Sequence, residues 1–215
     1  MQESYSRGSR RSRRRVGGRC AGLLALAVSA LLSCGGHSRA STGAKALSIE
    51  PEVRQALLDA EHAESKRAHL EAEKHYERAL SVARNAESKA LAHREYGSTL
   101  VFWGEEERAL VQFRASLEAD PNQARVWHDS GVLLSRSGRQ EGAQRALSKA
   151  VELAPADPRP RIALAALLVN MGAYRDALSQ YRAILRLDIP PKIETAARKA
   201  IEILRIEIEK QGPNG

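Results

Sequence analysis

The stretch Leu31-Leu32-Ser33-Cys34-Gly35-Gly36 puts a thiol at the end of an apolar run, and the other cysteine of the chain, Cys20, lies upstream in the same segment. A thiolate at that place is a nucleophile in a way that a serine hydroxyl is not. Other chemistry-bearing residues are spaced unfavourably. His62, His69 and His75 stand 7 and 6 residues apart, whereas two imidazoles share one helix face for a metal at i and i+4. Glu105-Glu106-Glu107 reads as the acidic first turn of a helix, where the dipole favours carboxylates. No Gly-rich phosphate loop, G-x-S-x-G or H-E-x-x-H motif is present. These patterns support no catalytic residues, no cofactor and no metal, and the expectation is a protein that is not an enzyme.

The elements around Cys34 say what its thiol is for. Residues 1–33 carry seven arginines against the single acid Glu3, so six of the +8 net charges belong to this leader. The body keeps only +2, which removes the main support for nucleic-acid binding. Ala21 to Leu32 is apolar but too short to span a bilayer, which takes about 20 residues. A basic start, a short apolar centre and small residues at the end make a secretory signal. Leu31-Leu32-Ser33-Cys34 resembles the lipobox of bacterial lipoproteins, with Leu32 a less usual choice at its tolerant position. The resemblance implies a signal peptide over 1–33, cut before Cys34, with a diacylglycerol on the sulfur and an acylated amine. More than one acyl chain anchors stably. Residues 34–50 read as a Gly/Ser/Ala-rich tether, and about sixteen such residues reach roughly 20–24 Å. Gly35, not aspartate, follows the cysteine, which by the enteric rule implies the periplasmic face of the outer membrane.

From about Glu50 onward the chain repeats. The segments starting at Trp103, Ser137 and Met171 align without gaps at an offset of 34. Gly104, Gly138 and Gly172 coincide, as do Ala109, Ala143 and Ala177, and Phe113, Leu147 and Tyr181. Gly97, Gly131 and Ala165 form a further set, and Pro121 and Pro155 align with Ile189, one residue before Pro190. A fourth unit comes first: Ala72, Tyr76 and Ala79 keep the spacing, but the step from Ala72 to Ala109 is 37 residues, and the turn glycine and closing proline are missing.

This pattern resembles the tetratricopeptide repeat, a helix–turn–helix unit of 34 residues. The resemblance implies an all-α, right-handed solenoid of about four units over 51–191, followed by a capping helix and tail over 192–215. Small residues at repeat positions 8 and 20 let the two helices of a unit approach, and proline ends the second helix. The final stretch has Ile193, Ala197, Ala200, Ile201, Leu204 and Ile208 at helical spacing with a charged opposite face. Helices are expected near 52–66, 69–84, 87–103, 106–119, 123–137, 140–153, 157–171, 174–187 and 192–210.

In such solenoids the first helix of each unit lines a concave side. The inner positions map to Arg94, Ser98 and Phe102 in the second unit, Arg125, His128, Val132 and Arg136 in the third, and Arg159, Ile162 and Asn170 in the fourth. The arginines are expected to meet carboxylates of an extended partner, with Phe102, Val132 and Ile162 supplying apolar contact. The lysine–asparagine clamp of the chaperone-binding members is absent from those positions. The whole reads as a lipid-anchored adaptor with protein partners at the bacterial cell envelope. A likeness to pilotin-type lipoproteins of type IV pili implies an outer-membrane pore or assembly subunit as client. An accessory subunit of an envelope enzyme and a purely structural spacer stay open as alternatives.

Overall fold

The computed structural model describes residues 49–211. Among the described residues nine helices follow one another with no strand: α1 Pro51–Ser65, α2 His69–Val82, α3 Ala86–Phe102, α4 Glu106–Ala119, α5 Ala124–Arg136, α6 Gln140–Leu153, α7 Pro158–Asn170, α8 Tyr174–Ile184 and α9 Pro191–Gln211. The signal peptide, Cys34 and most of the tether lie outside the described residues.

The helices begin where the sequence supplies starts. Pro51 and Pro158 sit in the first turns of α1 and α7, where a missing N–H costs nothing. Asn85 caps α3, its side-chain oxygen accepting the Ser88 N–H at 2.7 Å. The first helices of the last three units end at glycines in the left-handed region, Gly104 at φ 82°, Gly138 at 78° and Gly172 at 76°. The next residue then turns its N–H back five positions, as Glu105 does to Leu100 at 2.8 Å. The first unit makes the same turn without glycine. Arg67 holds φ 59°, and Ala68 N–H reaches Ala63 O at 2.9 Å. One expected end moves: α8 stops at Ile184, three residues early, because Leu187 N–H already bonds to Ile184 O at 3.0 Å in a tight turn.

Each odd helix through α7 pairs with the even helix after it, and α9 packs on α8. The small positions allow this. A Cβ built on Gly97 would lie 2.6 Å from the Phe113 ring, and one on Gly131 would lie 2.6 Å from Leu147 Cγ. Buried alanines at 72, 79, 109, 143, 150 and 177 line the same contacts. First helices of neighbouring hairpins also touch directly, α1 with α3 and α5 with α7. Among the described residues no second helix packs comparably on another second helix, so α1, α3, α5 and α7 form the inner layer of the curve.

The seam between the first two units is aromatic and polar. Tyr76 stacks on Tyr96 with centroids 4.9 Å apart. The Tyr76 and Thr99 hydroxyls both donate to Glu64 Oε1. Arg108 reaches back from α4 to Glu73 of α2 at 2.6 Å and lies over the Tyr96 ring. Burial first, and then the Glu73 charge, push the Tyr96 phenol up to about 12.

The stacking gives the solenoid two unlike edges. The turns within hairpins share one edge: His69 stacks on Trp103 at 4.5 Å, and Arg139 pairs with Glu107 across the next two turns. The connections between hairpins share the other edge, where the chain also enters. There the Glu50 carboxylate accepts the backbone N–H groups of Arg84 and Asn85 at 3.1 to 3.2 Å, and its own N–H donates to Ser88 Oγ. Glu50 thus ties down the short first connection, residues 83–85, which lacks the closing proline of later units; the extra residues of the 37-residue step lie in α3, with 17 residues against 13 in α5 and α7.

Candidate partner-binding groove

The inner positions picked from the sequence fall on α3, α5 and α7, and the structure gives them unequal fates. Phe102, in the last turn of α3, is 85% exposed. A phenyl ring left in water forgoes the favourable transfer that burial would bring, about 1.5–3 kcal/mol for such a side chain. Ser98 is half-buried on the same helix, and Val132 packs partly against the core formed by α6 to α9. Asn170 is exposed at the end of α7.

Ile162 corrects the expectation. It is 2% exposed, locked into the core with Leu147, Leu167, Leu168 and Tyr181. The reason is that α7 is apolar nearly all round and sits between α5, α6 and α8, so its inner positions are consumed by packing. Ile162 therefore offers no contact to a partner. Equivalent positions in the second and third units are Arg94 and His128, so the groove is open and polar at its middle and closed and apolar toward α7.

Each of the four arginines already faces a carboxylate of its own chain. Arg94 bonds to Glu95 at 2.7 Å, Arg125 lies 3.7 Å from Asp129, and Arg136 crosses to Glu106 of α4 at 2.6 Å. Arg159 holds Asp157 through its side chain at 2.6 to 3.0 Å and through its backbone N–H at 2.9 Å. Burial would raise the Asp157 carboxyl, and the Arg159 hydrogen bonds outweigh it and hold the group below its ordinary value. His128 Nδ1 donates to Asp129 Oδ1 at 2.9 Å, while its Nε2 is buried without a hydrogen-bond partner. Arg125, His128, Asp129, Asp157 and Arg159 thus form one compensated cluster between the third and fourth units. The Arg125–Asp129 pair, whose arginine lies mostly in water, is worth little, about 0–1 kcal/mol, so an incoming partner exchanges it readily but gains little from it.

Several features were missed by sequence reasoning. Arg67 replaces the turn glycine, and its place five residues before Ala72 matches Gly104 before Ala109. Glu50 and Asp157 carried no repeat signal: Glu50 caps a connection 34 residues further along the chain, and Asp157 clamps Arg159 two residues on. His62 is exposed on α1, while His69 goes to Trp103, so the early histidines are not gathered. Among the described residues no group of three or more His, Cys, Asp or Glu is placed to hold a metal, and no helix is long and apolar enough to cross a membrane.

Comparison with known proteins matches this geometry. A tetratricopeptide repeat model matches residues 124–157, the third unit with α5 and α6. The chain is 30% identical over 107 residues to a peroxisomal targeting signal receptor of Candida glabrata, covering 48% of this chain and 18% of the receptor. The corresponding Kluyveromyces lactis receptor is 35% identical over 85 residues, 39% of this chain and 15% of the receptor. The chain therefore spans less than a fifth of these curated relatives. Among solved structures, a crystal structure of MamA superposes with a TM-score of 0.58 at 16% identity, covering 76% of this chain and 95% of that one. MamA from Desulfovibrio magneticus RS-1, residue 41 to the end, gives 0.57 at 16% identity, covering 78% and 99%. The stretch 124–157 is a tetratricopeptide repeat, and the fold around it is the tetratricopeptide type of α-solenoid.

Proposed function

We propose that this chain is a lipid-anchored adaptor of the bacterial cell envelope that holds a protein partner on the inner face of its solenoid. The observation that carries the reading is Phe102, an aromatic side chain left 85% exposed on an inner helix of a tetratricopeptide fold. Aromatic residues of this kind carry a large part of interface binding energy. The self-compensated arginines favour a partner segment that is apolar with little net charge, and they disfavour an acidic tail. Envelope placement rests on the lipobox of residues 31–34 and on Gly35, which together favour an acylated Cys34 at the periplasmic face of the outer membrane. In the pilotin-like version the client is an outer-membrane pore or assembly subunit, delivered or stabilised by the anchored solenoid.

The test is capture from membranes with Phe102→Asp, beside Arg94→Glu with Arg125→Glu. Phe102→Asp is expected to cut capture about tenfold, the effect of a hot-spot residue, with an unchanged helical melt. The double arginine variant is expected to change it much less. Unchanged capture in Phe102→Asp rejects the inner-face reading.

A further inference from the structure

The inner layer of the solenoid is interrupted at one joint. α1 packs directly on α3, and α5 on α7, but among the described residues the backbones of α3 and α5 do not approach comparably. The joint between the first two hairpins is tied on its inner side, where the Thr99 hydroxyl of α3 donates to Glu64 of α1 at 2.7 Å. The joint between the last two hairpins is closed by α7, which is buried nearly all round. Between them, the third hairpin is fastened to α4, the outer helix of the second. Arg136 pairs with Glu106 at 2.6 Å, Arg139 with Glu107, and Gln123 Nε2 donates to Ser116 O at 3.0 Å. Val126 and Leu133, 0% and 2% exposed, put α5 in one apolar cluster with Leu110 and Phe113 of α4. Val132 and Leu134, on the same helix, border a second cluster that runs from α6 to α9.

We propose that the packing of α5 on α4 is a hinge. The first two hairpins turn about it as one arm against the other two hairpins with α9, and the turn sets the width of the groove. The physical ground is one-sided fastening. Helices held along one flank resist separation there and leave the other flank free to widen or narrow. A joint packed on both flanks cannot turn without opening a buried contact. The groove positions divide between the arms, with Arg94, Ser98 and Phe102 on α3 facing Arg125, Val132 and Arg136 on α5. A partner segment seated on Phe102 meets the second wall only when the arms close, so its binding favours the closed form. The hinge rests on the adaptor reading and adds to it how the groove takes hold of a partner.

The experiment uses the full-length chain with pairs of genetically encoded ketone amino acids, which leave Cys20 and Cys34 untouched. Glu52 with Lys89, Lys89 with Asn122, and Asn122 with Ala156 are exposed positions near the starts of successive inner helices, one pair for each joint. Spin labels on these pairs are expected to give a wider distance distribution for Lys89–Asn122 than for the other two. Equal widths at all three joints, or the greatest width at another joint, overturn the hinge. Joining the Lys89 and Asn122 ketones with a short bis-alkoxyamine should reduce partner capture from membranes several-fold, and joining Asn122 to Ala156 should not. Capture that is lost in Phe102→Asp but indifferent to the Lys89–Asn122 bridge keeps the groove and rejects the hinge. A wide Lys89–Asn122 distribution beside undiminished capture by Phe102→Asp keeps the hinge and rejects the inner-face reading.

Discussion

Arg67, at φ 59°, occupies the turn that Gly104 makes at φ 82°, each five residues before the alanine that packs its second helix. An L-residue with a side chain is strained there by about 1–2 kcal/mol, so the first unit keeps the repeat geometry against a local preference. Arg67→Gly is expected to stabilise the protein by about 1 kcal/mol, somewhat offset by glycine's freedom in the unfolded chain. Urea unfolding should show a higher midpoint with an unchanged slope. A lower midpoint would mean that Arg67 makes a compensating interaction through its side chain.

Gly97→Ala should destabilise by about 1–3 kcal/mol, the usual range for overpacking a tight contact. The added methyl meets the Phe113 ring at 2.6 Å. Combining it with Phe113→Leu should recover part of the loss, and a double-mutant cycle with no coupling would show that the α3–α4 approach is looser than described.

Tyr181→Phe should leave stability unchanged or raise it. The Tyr181 ring is fully buried and its hydroxyl has no hydrogen-bond partner, while Phe113 and Leu147 fill the equivalent places without one. An unsatisfied buried hydroxyl costs about 1–3 kcal/mol. Thermal melts of the two proteins decide the matter, and a clear loss in the phenylalanine variant would place an ordered partner at that oxygen.

How far the sequence was legible follows the same logic. The period of 34 located the hairpins because glycine, alanine and proline act through local sterics that repeat with the chain. The groove was half legible. Phe102 stood out by type and position, but Ile162 looked equivalent until α7 proved buried nearly all round. The pairing of Arg136 with Glu106 and of Arg159 with Asp157 depends on how units stack, which no single repeat encodes.

Acid stability should report the seam between the first two units. The Arg108 hydrogen bonds chiefly, with Tyr96 helping, hold the Glu73 carboxyl below its ordinary value against the opposing effect of burial. A depressed folded value means that Glu73 stabilises the fold above the unfolded pKa of about 4.3. That contribution is lost as pH falls through the lower folded value. Glu73→Gln should therefore lower the melting temperature at neutral pH and show a smaller further drop below about pH 4, near the unfolded carboxylate value. Parallel acid limbs in the two proteins would contradict this assignment.

In the proposed function an acylated Cys34 delivers the Phe102 face to a protein partner in the envelope. That delivery is tested most directly by membrane fractionation and in-cell cross-linking of wild type, Cys34→Ala and Phe102→Asp side by side. Wild type is expected to sediment with membranes and to capture its partner. Cys34→Ala should leave the membrane fraction, and Phe102→Asp should stay there with capture reduced about tenfold. A Cys34→Ala protein that still sediments with membranes, or a Phe102→Asp protein with undiminished capture, would contradict it.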